Sequence, residues 1–181
     1  MINIVWIGKI ISVNRAANKE TRYVEMNESF VFKNYEMTPI EAYILSADDF
    51  IEKIGGEVND KEDKDSQKII CVRLRIKNIL GETRTWEALL ESGLGEGFEK
   101  ADGLWCSARW PFYTNNINFV PGEFFEDGES LELWIATSIQ KISGFSNKAW
   151  EKIENQDFYY VMSFYPDAIR IKLDIKTEVQ S

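Results

Sequence analysis

Residues 68–78, KIICVRLRIKN, place the tightest constraint on the fold. Ile70, Val72, Leu74 and Ile76 fall on one side of an extended chain, and Arg73, Arg75 and Lys77 fall on the other. A strand sends successive side chains to opposite faces, so this pattern covers a core with one face and meets water with the other. The same two-residue period returns twice. Leu131, Leu133 and Ile135 alternate with Glu132 and Trp134, and Ile169, Ile171, Leu173 and Ile175 alternate with Arg170, Lys172, Asp174 and Lys176.

The joins between these segments are rich in turn residues. Residues 28–33 carry Phe30 and Phe32 on one face, Lys33-Asn34 turns the chain, and Tyr35–Leu45 returns as the second arm of a hairpin. Pro39 makes that arm an edge strand or breaks it, because proline has no N–H for a ladder. Two helical insertions are expected. SADDFIEKIG (46–55) has Ser46 as a cap, Asp49 three residues later and Gly55 as a stop. SNKAWEKIEN (146–155) places Trp150 and Ile153 on one side of a helix over about 147–155. Residues 84–91 are expected to be a strand or a short helix, 121–129 a turn-rich approach to a strand, and Phe158–Tyr165 an aromatic strand. About seven alternating strands without βαβ alternation describe a mainly β protein, an antiparallel immunoglobulin-like β-sandwich. Residues 68–78 are its central strand. Residues 21–177 form one such domain, preceded by a strand or anchor remnant and a polar linker over 1–20.

A chain of 181 residues with 44% hydrophobic and 13% aromatic residues has enough apolar surface for a core. Its 30 acidic against 21 basic residues give a net charge of −9, which repels polyanions and argues against nucleic acid as a partner. The strip of Arg73, Arg75 and Lys77 reads as a solvated strand face. No histidine is present. Ser-His-Asp and Cys-His nucleophiles are thereby excluded, as are histidine-based zinc and iron sites. Cys71 and Cys106 lie 35 positions apart without a CxxC motif, and two thiols are expected rather than a disulfide or a metal site. Cys71 shares a strand face with Arg73 and Arg75, which leaves its burial open.

Other stretches invite a chemical reading. GEVNDKEDKDSQ (56–67) holds Glu57, Asp60, Glu62, Asp63 and Asp65, but it lacks the order of an EF-hand and reads as a solvated loop. GLGEG (93–97) has no following Lys-Ser/Thr and reads as a flexible loop rather than a phosphate cradle. The N-terminal MINIVWIGKIISV is too short to span a bilayer and lacks the basic start of a secretory signal. It reads as an edge strand or the remnant of a membrane anchor. As a strand, residues 2–13 would pair in trans and form a weak homodimer.

Five pieces together resemble the telokin-like, immunoglobulin-like domains of uncharacterised cell-surface proteins and lipoproteins of Gram-positive bacteria. They are TRYVEMNESFVFKNYEM (21–37), SADDFIEKIG (46–55), KIICVRLRIKN (68–78), VPGEFFEDGESLELWI (120–135) and FYYVMSFYPDAIRIKL (158–173). The resemblance implies a sandwich that follows a membrane anchor at an extracytoplasmic surface. It implies no catalytic residues. The front of this chain departs from the pattern, which leaves a cytoplasmic location as the alternative.

The function expected is a non-catalytic binding or spacer module without cofactor or metal, whose partner is a protein or a cell-wall component. A second reading is a carbohydrate-binding module: Trp105, Trp110, Phe112 and Tyr113 offer flat faces to sugar rings, and Asn115 and Asn116 offer directional hydrogen bonds. The plainer account buries these rings at the end of the core. A third reading is a carboxylate-only hydrolase built on Glu123, Glu126, Asp127 and Glu129, which requires two acids opposed across a cleft.

Overall fold

A computed structural model describes residues 21–55, 58, 66–85, 88–89, 93–107, 124–141, 146–165 and 167–176. Twelve strands are present among them: β1 (Arg22–Val24), β2 (Phe30–Phe32), β3 (Tyr35–Leu45), β4 (Gln67–Asn78), β5 (Arg84–Thr85), β6 (Gly97–Lys100), β7 (Trp105–Ser107), β8 (Phe124–Phe125), β9 (Ser130–Gln140), β10 (Phe158–Ser163), β11 (Ile169–Leu173) and β12 (Ile175–Lys176). Helices α1 (Ala47–Ile54) and α2 (Asn147–Trp150) interrupt them, and a 3-10 turn over Ile153–Asn155 follows α2. The expectations for residues 1–20, for most of the acidic loop, for Glu123, and for Trp110, Phe112, Tyr113, Asn115 and Asn116 lie outside the described residues.

Two sheets face each other. One runs β1-β11-β10-β6-β7; the other runs β12-β3-β4-β9, with β2 also paired to β3. The pairings are antiparallel except at two margins, where β1 joins β11 and β12 joins β3 in parallel. Strand β4 is internal, with β3 on one side and β9 on the other, as the alternation of 68–78 requires. Ile70, Val72, Leu74 and Ile76 enter the core between the sheets and meet Phe98, Tyr160 and Ile171 from the facing sheet. No helix among the described residues is long and apolar enough to cross a membrane.

The outer side of β4 is half covered. Helix α1 lays Phe50 over Tyr43, Leu45, Ile69, Cys71 and Ala136 to form a second, smaller core. Cys71 is fully buried in it, and burial pushes its thiol well above the ordinary range. The local chemistry of α1 follows the sequence. Ser46 Oγ accepts the Asp49 N–H at 3.0 Å, and Gly55 adopts φ 78° to donate back to the Ile51 carbonyl at 3.1 Å. The second insertion is shorter than expected: α2 ends at Trp150, and the chain tightens into the 3-10 turn that buries Ile153.

Pro39 neither ends β3 nor makes a bare edge. A bulge falls between Pro39 and Glu41, just where the outer neighbour of β3 changes. Strand β2 pairs with residues 35–37, and β12 pairs with residues 42–43. The extra residue reverses the parity of the strand, so Tyr35 and Met37 before it and Ala42 and Ile44 after it all reach the same core.

Three other segments differ from expectation. Residues 169–176 alternate as one strand would but belong to both sheets, because the chain crosses at Asp174. Strand β10 stops at Ser163 and leaves Phe164 and Tyr165 outside it. GLGEG is close-packed: Leu94 is buried, its carbonyl accepts the Tyr160 hydroxyl, and a Cβ on Gly95 would overlap that hydroxyl. Gly97 opens β6 so tightly against Cys106 of β7 that a Cβ there would overlap the Cys106 carbonyl.

Asn78 closes the far end of β4. It is fully buried, and its amide donates to the Glu82 and Phe125 carbonyls at 2.9 Å each while its Oδ1 accepts the Leu80 N–H at 3.1 Å. One side chain thus ties β4 to β8 and to the turn before β5.

Candidate functional site

Short strand β7 ends the first sheet, and its first residue turns an indole toward water. Trp105 is 38% exposed and Phe164 is 53% exposed. Their rings pack at 5.3 Å between centroids, tilted by 47°. The Trp105 Nε1–H donates to Ser107 Oγ at 3.2 Å, which fixes the indole along the strand. Phe164 is carried there by the end of β10, two strands away across β6. The tilt makes the pair an open wedge, not the coplanar platform on which a sugar ring stacks flat.

Beside the wedge lies a groove of about 300 Å3 between β7 and β9, lined by Leu104, Trp105, Cys106 and Ser107 on one bank and by residues 137–140 on the other. Thr137 Oγ1 donates to the Ser107 carbonyl at 2.7 Å across it, so the two sheets are stitched at its floor. Cys106 is half-buried, and no disulfide joins it to Cys71. Of the six residues expected to form an aromatic and amide cluster, Trp105 is the one within the described residues. Its partner Phe164 was hidden in the sequence because the run 158–165 reads as a continuous strand, in which alternate rings would be buried.

Two other tryptophans are structural. Trp150 is buried at 6% exposure, with the Lys68 ammonium 5.8 Å from its ring. Trp134 lies beneath the Arg73 guanidinium at 5.6 Å and beside Tyr43 at 5.8 Å. The two arginines of the β4 basic strip are paired by their neighbours: Arg73 meets Glu41 at 2.6 Å, and Arg75 meets Glu132 at 2.7 Å. These cross-strand pairs belong to the sheet.

Two acids of the 122–129 stretch do turn chemistry. Glu129 Oε2 accepts the Glu126 N–H at 2.9 Å, and Asp127 Oδ1 accepts the Gly81 N–H at 2.8 Å. The Asp127 and Glu129 carboxylates therefore cap loops at the surface, and Glu126 takes part through its backbone N–H. Among the described residues, no three histidine, cysteine or acidic side chains converge on a point where a metal ion would sit.

A second cavity of about 320 Å3 opens at the end of the sandwich, between the β2–β3 tip, residues 93–96 and the turn after β10. Lys33, Glu96, Asp167 and Tyr165 line its mouth, and Met162 and Ile169 lie deeper.

Solved structures similar to this chain are known at low identity. An uncharacterised β-sandwich protein from Clostridium difficile 630 matches 87% of this chain and 98% of its own, at 11% identity and a TM-score of 0.52. A conserved hypothetical protein from Bacillus anthracis matches 83% of this chain and 94% of its own, at 12% identity and a TM-score of 0.51. The secreted protein MPT63 from Mycobacterium tuberculosis covers 86% of this chain and 98% of its own, at 9% identity and a TM-score of 0.49. No curated protein matches the chain. The sequence profile of one family covers residues 19–169, from just before β1 to the start of β11. The chain belongs to that family, the Domain of unknown function DUF5028.

Proposed function

We propose that this domain is a non-catalytic binding module of the extracytoplasmic cell surface, and that it takes its partner, a protein or a cell-wall component, at the β7 edge. The observation that carries this reading is the Trp105–Phe164 wedge. Two large rings remain half in water, side by side, next to a groove of about 300 Å3. Aromatic side chains dominate binding energy where they are presented this way, because they bring large apolar area at small entropic cost. The use of the Asp127 and Glu129 carboxylates as loop caps, and the absence of histidine, support a module that holds rather than converts its partner. The resemblance of residues 21–173 to Gram-positive surface domains supports the location.

Sugar recognition is the narrower form of this reading, and the exposed indole favours it. A wedge at 47° suits the edge of one ring better than a flat chain of rings. The test is co-sedimentation of the purified chain with insoluble Gram-positive cell walls, intact and stripped of protein. The wild type should sediment with at least one preparation, and the Trp105→Ala/Phe164→Ala double variant should stay in solution while keeping its unfolding midpoint. Sedimentation only with intact walls would identify a protein partner; sedimentation with both would identify the polysaccharide. Equal sedimentation of the double variant, or none of the wild type, would overturn the proposal.

A further inference from the structure

The cavity at the end of the sandwich has a different character from the β7 edge. Its deeper wall is apolar, because Met162 and Ile169 are core side chains. Its mouth carries both signs of charge: Lys33 comes from the β2–β3 tip, and Glu96 from the approach to β6. These two do not come within the 4.0 Å of an ion pair with each other, and neither makes one with any other described residue. On the sheets some opposite charges do meet, as Arg73 meets Glu41 at 2.6 Å and Arg170 meets Glu99 at 2.8 Å.

Lys33 is also held in an unusual way. Its φ is 55°, at the first position of a two-residue hairpin turn where glycine is the common occupant. A long side chain in the left-handed region is uncommon and marks a constrained position. Its ammonium stands 5.1 Å from the centre of the Phe32 ring. The ammonium also lies beside Gly93, 3.5 Å from where a Cβ there would stand. The cation therefore stands among the residues that line the cavity.

We propose that this cavity binds a small zwitterion with an apolar side chain, a free apolar amino acid or the equivalent short peptide. The ligand's carboxylate pairs with Lys33, its ammonium pairs with Glu96, and its side chain rests on Met162 and Ile169. A volume of about 320 Å3 lies at the small end of ligand sites, which suits this size class. A simple anion is disfavoured because Asp167 adds a second carboxylate to the lining, and a simple cation would leave Lys33 without a counter-charge. A ligand with both charges gives each wall its missing partner through charge-assisted hydrogen bonds. The site is separate from the Trp105 edge, and the two readings stand or fall independently.

The test is a titration of the full chain with leucine, followed by calorimetry and by the methyl resonance of Met162. Leucinamide, which lacks the carboxylate, and N-acetylleucine, which lacks the ammonium, are the controls. Leucine should saturate at millimolar concentration and shift the Met162 methyl, and each control should bind about tenfold more weakly. Glu96→Gln should lose about tenfold for leucine and nothing for N-acetylleucine. Lys33→Gly, which the turn accommodates, should lose about tenfold for leucine and nothing for leucinamide. Either variant decides the matter alone if the other folds poorly. Absence of saturation, equal binding of the controls, or unchanged affinity in a folded variant would overturn the proposal.

Discussion

Cys71 shows how one buried side chain couples stability to pH. It lies on the outer side of β4 under α1, where burial is the main cause raising its thiol above the usual range; a hydrogen bond from the Tyr43 backbone opposes the shift and the charge of Glu41 adds to it. In the unfolded chain the same thiol ionises near pH 8.5. The folded group therefore holds its proton while the unfolded one releases it, so the unfolded state binds fewer protons and stability falls as pH rises. Below about pH 8.5 the contribution is fully present. Above it, the loss should approach about 1.4 kcal/mol per pH unit until the folded thiol itself ionises. Urea unfolding of the wild type at pH 8, 9 and 10 should show this slope, and Cys71→Ala should flatten it while lowering the plateau through the cavity it leaves. An identical slope in both proteins would assign the alkaline loss to other groups. Burial here was not readable from the sequence, because Cys71 shares its strand face with Arg73 and Arg75, and that face is apolar only where α1 covers it.

At the scale of elements, the features legible in the sequence are those with local causes. Helix α1 is one, since Ser46, Asp49 and Gly55 are caps whatever the rest of the chain does. Asp49 accepts from Ser46 Oγ at 2.6 Å and meets Lys53 at 2.8 Å; the Lys53 hydrogen bond, then that of Ser46, holds its carboxyl below the usual range. Both partners are well exposed, so the cap itself is the larger contributor to stability. Replacing Ser46 with alanine should cost about 1 kcal/mol. Because α1 roofs Cys71, the same substitution should speed alkylation of that thiol under native conditions, read by mass spectrometry of the Cys71 peptide. A stability loss without faster alkylation would mean that α1 opens only with the whole domain. Features with distant causes were hidden. The bulge at Pro39 is set by two different neighbours of β3, and the end of β10 at Ser163 is set by its hydroxyl, which donates to the Asp167 carbonyl. The Trp105–Phe164 wedge follows from that second feature. One of its rings was marked by sequence, and the other came into view only when the aromatic strand ended early.

For the whole molecule, the segment 169–176 is the stitch between the sheets. Strand β11 sits between β1 and β10 in one sheet, and β12 lies along β3 in the other. The period of two runs on unbroken through Leu173 and Ile175, so nothing in the residue pattern marks the crossing; only the packing of two sheets about ten ångströms apart demands it. Strand β12 pairs Ile175 with Ala42 and Lys176 with Tyr43, and Ile175 packs against the main core. Its removal would strip the outer side of β3 beyond Pro39, where β2 no longer reaches. An uncovered strand edge is a template for pairing with another chain, and the lost burial of Ile175 weakens the fold as well. A chain ending at Leu173 should therefore unfold about 2–3 kcal/mol more easily. It should also gain mass with concentration in light scattering, while the full chain does not change through this edge. The two effects separate by placement of charge. Restoring the segment with Ile175→Lys should leave the edge covered and the molecule unassociated, yet recover only part of the stability, because the ladder returns without the apolar contact. If the shortened chain stays at its starting mass and the Ile175→Lys chain associates instead, edge protection by β12 is not what its parallel pairing provides.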